Sequence, residues 1–302
     1  IAQQSVTVNT VAAPLFNDAP SGGSSVVTTD EGNIPGMGSQ HETPATQPFG
    51  AATDGSFKME LHGADATVSI GGTELKVENG KLYYNGVEVT ADAAVSVPGG
   101  AHGTLTVTGM DADGTVHYTY TLTTPVDATG NASNRPGEGD AGRGEAVRAD
   151  AFDVSITTTG GTATGQITVD ALDDAPVLST LDTTQTTVAD GEAALTGTLS
   201  FTPGADAEGA QVTVEVEGQT FTGTKGENGW TFTGGSDGSS FQLNGTAFTY
   251  TRPSSNTTDG RNDTIILKVT VTDGDGDIAQ QSVTVNTVAA PLFNDAPSGG
   301  SS

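Results

Sequence analysis

The stretch ELKVENGKLYYNGVEVT, residues 74–90, alternates apolar and polar residues on either side of two Asn-Gly pairs. Alternation sends successive side chains to opposite faces of a strand, and Asn-Gly supplies the two left-handed residues that a two-residue hairpin turn requires. A three-stranded meander turning at Asn79-Gly80 and Asn85-Gly86 is therefore predicted. The stretch GWTFTGGSDGSSFQLNGTAFTYT, 229–251, has the same grammar and reads as a second meander. Its candidate core residues are Trp230, Phe232, Phe241, Leu243, Phe248 and Tyr250.

Composition extends that reading to the whole chain. Glycine accounts for 42 of 302 residues and aromatics for only 5%, with abundant threonine and serine, which disfavours helices and suits short strands joined by tight turns. Strands at this spacing over two domains' length point to an all-β protein of tandem immunoglobulin-like β-sandwich modules. There is no cysteine, so disulfides, thiolate metal sites and a cysteine nucleophile are excluded. Ten basic against 37 acidic residues give a formal charge of -27, a field that repels nucleic acid and anionic lipid surfaces. The same field attracts hard divalent cations, Ca²⁺ foremost.

Residues 278–302 repeat residues 1–25 letter for letter. This places the chain in a longer tandem array whose neighbouring repeats are its natural partners. Two further marks divide it: LDDAP at 172–176 resembles FNDAP at 16–20 and 293–297, each following an alternating segment and ending in a proline that cannot extend a ladder. The expected layout is the last strand and junction of a preceding repeat at 1–20, module 1 at 21–174, module 2 at 175–295 and the start of the next repeat at 296–302. Residues 31–54 and 127–146, rich in proline, glycine and small polar residues, are expected to be long surface loops or extended edge segments of module 1.

The order of DEGNIPGMGS, GTLTVTGMDADGTVHYTYTL, VTVTDGDGD and DDAP resembles the tandem extender repeats of giant RTX (repeats-in-toxin) adhesins, grouped with bacterial immunoglobulin-like and cadherin-like modules. The resemblance covers nearly the whole chain. It implies export by type I secretion, a place at the bacterial cell surface or in a biofilm matrix, and a calcium-rigidified spacer role with no direct membrane insertion. The glycine-rich nonapeptide calcium repeats that name the toxin family are not found in the sequence.

Asp273, Asp275 and Asp277 alternate with glycines between two strands, so carboxylates and carbonyls can converge on one ion needing six to eight oxygens. This is not an EF-hand, because Ile278 and Thr284 stand where that loop needs glycine and glutamate. The matching turn of module 1, TTTGGTA at 157–163, has no acid, which makes the acids of module 2 an addition to a turn that closes without them. Asp173 and Asp174, with Asp18 and Asp295 at the equivalent junctions, are candidates for calcium at module boundaries; the alternative is an Asx-Pro turn. Asp111 and Asp113 in DADG are a further candidate pair. Asp65 and Asp206, in Gly-Ala-Asp triplets, read as turn formers.

Catalysis finds little support. The four histidines show no i, i+4 pairing, and no GxSxG elbow or phosphate loop is present. The chain is read as a non-enzyme. The alternative function is a lectin-like carbohydrate- or protein-binding module using the 127–146 loop with Tyr83, Tyr84 and Tyr118 as exposed rings. Lateral self-association of arrays into filaments is left open by the sequence.

Overall fold

The alternating segments become strands almost throughout. The computed structural model describes residues 11–38, 50–126, 146–189, 194–227, 229–252 and 264–288. The chain divides into two compact units, with the change at Asp174–Ala175.

Unit 1 contains β1 (Leu15–Phe16), β2 (Gly23–Asp30), β3 (Ala52–Glu60), β4 (Ala66–Ile70), β5 (Thr73–Glu78), β6 (Lys81–Tyr84), β7 (Val87–Glu88), β8 (Val95–Val97), β9 (Gly103–Met110), β10 (Thr115–Leu122), β11 (Ala146–Thr158) and β12 (Gly161–Leu172). They form a sheet in the order β1-β3-β10-β9-β8 and another in the order β2-β12-β11-β4-β5-β6-β7. The inward residues of both sheets make one core. Tyr120 of β10 meets Phe152 of β11 edge-on at 6.4 Å, and Val68, Leu75, Leu105 and Ile167 are fully buried around them. The predicted meander is β5-β6-β7, and Asn79, Gly80, Asn85 and Gly86 all take positive φ (52°, 75°, 50° and 81°), as its two turns demand.

Unit 2 contains β13 (Val177–Thr183), β14 (Thr187–Ala189), β15 (Ala194–Thr202), β16 (Gln211–Val216), β17 (Gln219–Gly226), β18 (Gly229–Gly234), β19 (Ser240–Asn244), β20 (Ala247–Thr251), β21 (Thr264–Thr272) and β22 (Ile278–Val288). Its sheets run β13-β15-β20-β19 and β14-β22-β21-β16-β17-β18. Phe221 of β17 packs against Phe241 and Tyr250 of the facing sheet, with ring centroids 6.2 and 5.9 Å apart. Both units are thus two-sheet, mainly antiparallel, immunoglobulin-like sandwiches. Each also opens the same way: its first strand lies in one sheet (β1, β13), and the next crosses to the other sheet and pairs parallel with the unit's last strand (β2 with β12, β14 with β22).

Three expectations change. Unit 1 begins before residue 21: Leu15 and Phe16 pair with Glu60 and Met59, and Phe16 is fully buried, stacked 4.8 Å from Phe57. An apolar ring that fills a core belongs to that core, whichever side of a proline it stands on. The 229–251 stretch is not one meander, because β18 pairs with β17 while β19 pairs with β20 in the other sheet. Gly234, Gly235 and Gly238, all at positive φ, carry the chain across, which leaves Trp230 and Phe232 half-buried. The expected loop at 31–54 begins with a 3-10 turn at Glu31–Asn33, and its last residues already belong to β3. The segments 39–49 and 127–145, residues 1–10 and residues 289–302 lie outside the described residues. No described helix is long and apolar enough to cross a membrane.

Candidate metal centre

The 273–277 turn joins β21 to β22. Their register closes at Thr272–Ile278, and the amide of Asp273 donates to the carbonyl of Asp277 at 3.1 Å. Asp273 Oδ1 then accepts from the amides of Gly276 (3.0 Å) and Asp277 (2.6 Å), folding the turn around its own first side chain. From the other side the 206–208 loop closes in, its Asp206 carbonyl accepting from Gly274 at 2.7 Å. Only glycine fits at 274, since a Cβ there would collide with the Glu208 carbonyl oxygen.

The consequence is a crowd of carboxylates in little water. Asp273 is 3% exposed, Asp277 is fully buried and Asp206 is 4% exposed, while Asp275 is half-buried. One oxygen each of Asp275 and Asp277 lie within 4.8 Å of one another. With the acids ionised, Asp273 Oδ2 and both oxygens of Asp275 meet no donor. The Asp273 carboxyl is pushed up to about 10, first by burial, then by its hydrogen bond to and the charge of Asp275, with the charge of Asp277 adding; the Gly276 amide opposes the rise. A buried anion with an undonated oxygen is costly, and a hard cation offsets that cost. These residues fit a calcium ion by their chemistry, with oxygen donors only, several charges and a flexible turn.

Unit 1 gathers acids by a different route. Because β2 and β12 run parallel with Asp30 opposite Leu172, the residues that follow them, Glu31 and Asp173, come off the sheet side by side. One oxygen of each lies within 4.8 Å of the other. Asp30, Glu31, Asp173 and Asp174 are all at most 2% exposed. Part of this charge holds the local backbone in place, since Asp30 Oδ1 caps the 3-10 turn through the Gly32 amide and Glu31 Oε1 accepts from the Val126 amide at 2.9 Å.

The remaining candidates are placed elsewhere. Asp111 is exposed, with its Oδ2 2.8 Å from His117 Nε2. Asp113 is exposed and accepts from the amide of Thr115, and hydrogen bonds from the Thr115 side chain and backbone hold its carboxyl below the usual range. Both belong to the β9-β10 turn. Asp18 is exposed in the left-handed region (φ 62°), and Asp295 lies outside the described residues. Asp65 is exposed and accepts from the amide of Asn79, 14 residues on in the β5-β6 turn. Asp206 is instead buried, with its backbone carbonyl bonded to the Gly274 amide. Of the three rings suggested for a lectin-like contact, Tyr118 is buried with its hydroxyl 2.8 Å from that of Ser25, which removes it from the surface; Tyr83 is half-buried and Tyr84 is exposed. Two other buried tyrosines are clamped by acids: Tyr120 donates to Asp150, and Tyr250 donates to Glu217, which also pairs with Arg252 at 2.6 Å.

The FNDAP junction works as a clasp. The Asn17 side chain accepts from the Lys58 amide and donates to the Ser24 carbonyl, both at 2.8 Å, and its backbone is left-handed (φ 44°). Asn17→Ala is expected to destabilise unit 1 by about 1–2 kcal/mol through the lost bonds and the harder backbone conformation. Calorimetry on the variant checks this, and a change below about 0.5 kcal/mol would contradict the clasp.

No protein-family model matches the sequence. No curated protein matches it either. Among solved structures the chain is similar to the titin domains Z1Z2 in complex with telethonin, at 12% identity over 93% of this chain and 98% of that one, with a TM-score of 0.41. It is also similar to a pair of titin Ig tandem domains (10% identity, 87% and 91% covered, TM-score 0.24) and to extracellular domains 3–5 of Drosophila OTK (8% identity, 92% and 62% covered, TM-score 0.24).

Proposed function

We propose that this chain is an extender: one repeat of a long extracellular bacterial fibre of the RTX-adhesin kind, which holds a binding region away from the cell and is stiffened by calcium. The observation that carries the reading is the buried Asp273 carboxyl, whose Oδ2 meets no donor once the acids ionise while Asp275 crowds it. Asp273, Asp275 and Asp277 would hold the ion, with Asp206 beside them. Bound calcium would cancel the repulsion among these acids and so tie the β21-β22 turn to the 206–208 loop. The duplicated ends supply the array, and the chain's acidity suits a compartment with millimolar calcium. Asp173 and Asp174, with Glu31, give unit 1 a second acidic group that calcium would stabilise.

Extracellular calcium modules bind with dissociation constants of roughly 10⁻⁴ to 10⁻³ M. Millimolar calcium would then add about 0.5–2 kcal/mol per site by mass action. The test is thermal melting and hydrodynamic length in EDTA and in calcium. A higher melting temperature and a longer particle with calcium are expected. If neither changes, the calcium-stiffened extender is wrong.

A further inference from the structure

In unit 1 the hairpin turn that corresponds to the acidic 273–277 turn carries no acid, and the incoming chain occupies it instead. Pro14 is buried, Phe16 is locked in the core, and the backbone between Val11 and Ala13 lies on the β11-β12 turn. A Cβ added at Gly160 would collide with the Ala12 carbonyl oxygen, and the nearest atoms around it all belong to Val11 and Ala12. A Cβ at Gly161 would touch the Ala13 side chain at 3.6 Å. Gly160 itself stands outside the left-handed region.

The letter repeat transfers this arrangement. Val288, the last residue of β22, corresponds to Val11, and Ala289, Ala290 and Pro291 correspond to Ala12, Ala13 and Pro14. Between the strand that ends unit 2 and the proline that corresponds to the buried Pro14 stand two alanines, so Val288 and Pro291 lie at most about 11 Å apart. Ala12 and Ala13, to which these alanines correspond, both meet the hairpin turn. On the tandem-array reading above, we propose that the joint from one period to the next is a fixed joint that needs no cation. Its partner surfaces are β22 of one copy and the Thr158–Gly161 turn of the copy that follows. Stiffness along the array then comes from two different devices, carboxylates in unit 2 and backbone packing at the period joint.

The test uses a chain of two periods, residues 1–302 followed by 26–302. The sequence has no cysteine, so Lys225→Cys in the first period and Lys76→Cys in the second, both exposed, give a single pair of spin labels across the joint. One narrow distance distribution, the same in EDTA and in calcium, is expected. Gly160→Ala in the second period should broaden it in both conditions. A Gly-Gly insertion between Ala290 and Pro291, which substitutes no core residue, should broaden it as well. A distribution that is broad in EDTA and narrows in calcium overturns the proposal while leaving the calcium-stiffened extender standing. A narrow distribution that both changes leave untouched overturns it too, because the rigidity would then not come from this seat. Loss of the calcium effect on melting would sink the extender reading alone.

Discussion

Asp275→Asn is expected to raise the melting temperature of unit 2 in EDTA and to erase its gain from calcium at the 273–277 turn. The residue matters because it is the largest charged neighbour of Asp273, whose carboxyl is held far above its ordinary value by burial first and by Asp275 next. A group with a raised folded pKa contributes stability that is fully present below its unfolded pKa, near 4, and lost as pH rises through the folded value. Metal-free unit 2 should therefore be more stable at pH 5 than at pH 8, the reverse of a protein held by ionised carboxylates. Calcium should invert the trend, since it binds the ionised form and loses affinity as the acids protonate. Trp230, the sole tryptophan, lies in β18 and packs edge-on against Phe201 at 5.3 Å, so its fluorescence reports unit 2. A calcium gain of about 0.5–2 kcal/mol corresponds to a rise of roughly 2–8 °C in the wild type. The variant should melt a few degrees higher than the wild type in EDTA and hardly respond to calcium. A variant that melts lower in EDTA, or keeps its full calcium shift, contradicts the site.

The parts of this molecule that are legible in the sequence are those whose cause is local. Asn79-Gly80 and Asn85-Gly86 fix their turns with their own backbone preferences, and the aspartates of 273–277 sit within one turn. What stays hidden depends on pairing between distant segments. Glu31 gives no sign of lying beside Asp173 until β2 is known to run parallel to β12 with Asp30 opposite Leu172. Asp206 resembles Asp65 in its triplet, yet its loop closes on Gly274 and its side chain is buried, while Asp65 is exposed. Tyr118 reads as a surface ring because alternation says which residues share a face, not which face is inside. Phe16 shows the same limit at the domain scale: its proline marks a boundary in sequence, while its ring marks membership of a core.

Pulled from its ends, the chain should give up unit 2 before unit 1. Force enters a sandwich at its two ends, and where the second strand pairs parallel with the last it shears all their hydrogen bonds together instead of peeling them singly. In unit 1 the shared register runs the whole eight residues of β2, from Gly23–Gly165 to Asp30–Leu172. In unit 2 the described register covers the three residues of β14, from Thr187–Asn286 to Ala189–Val288. Asn17 adds to the difference by clasping the start of unit 1 to β3 through Lys58. Forced unfolding follows the unfolding rate, so the shorter clamp should open at the lower force. Single-molecule extension can assign each event by the chain released, about 3.4 Å per residue, because unit 1 is the longer unit. The expected record shows the shorter release first, and calcium should move that first event to higher force more than the second. A longer release that comes first would mean that the parallel pairs do not set the order.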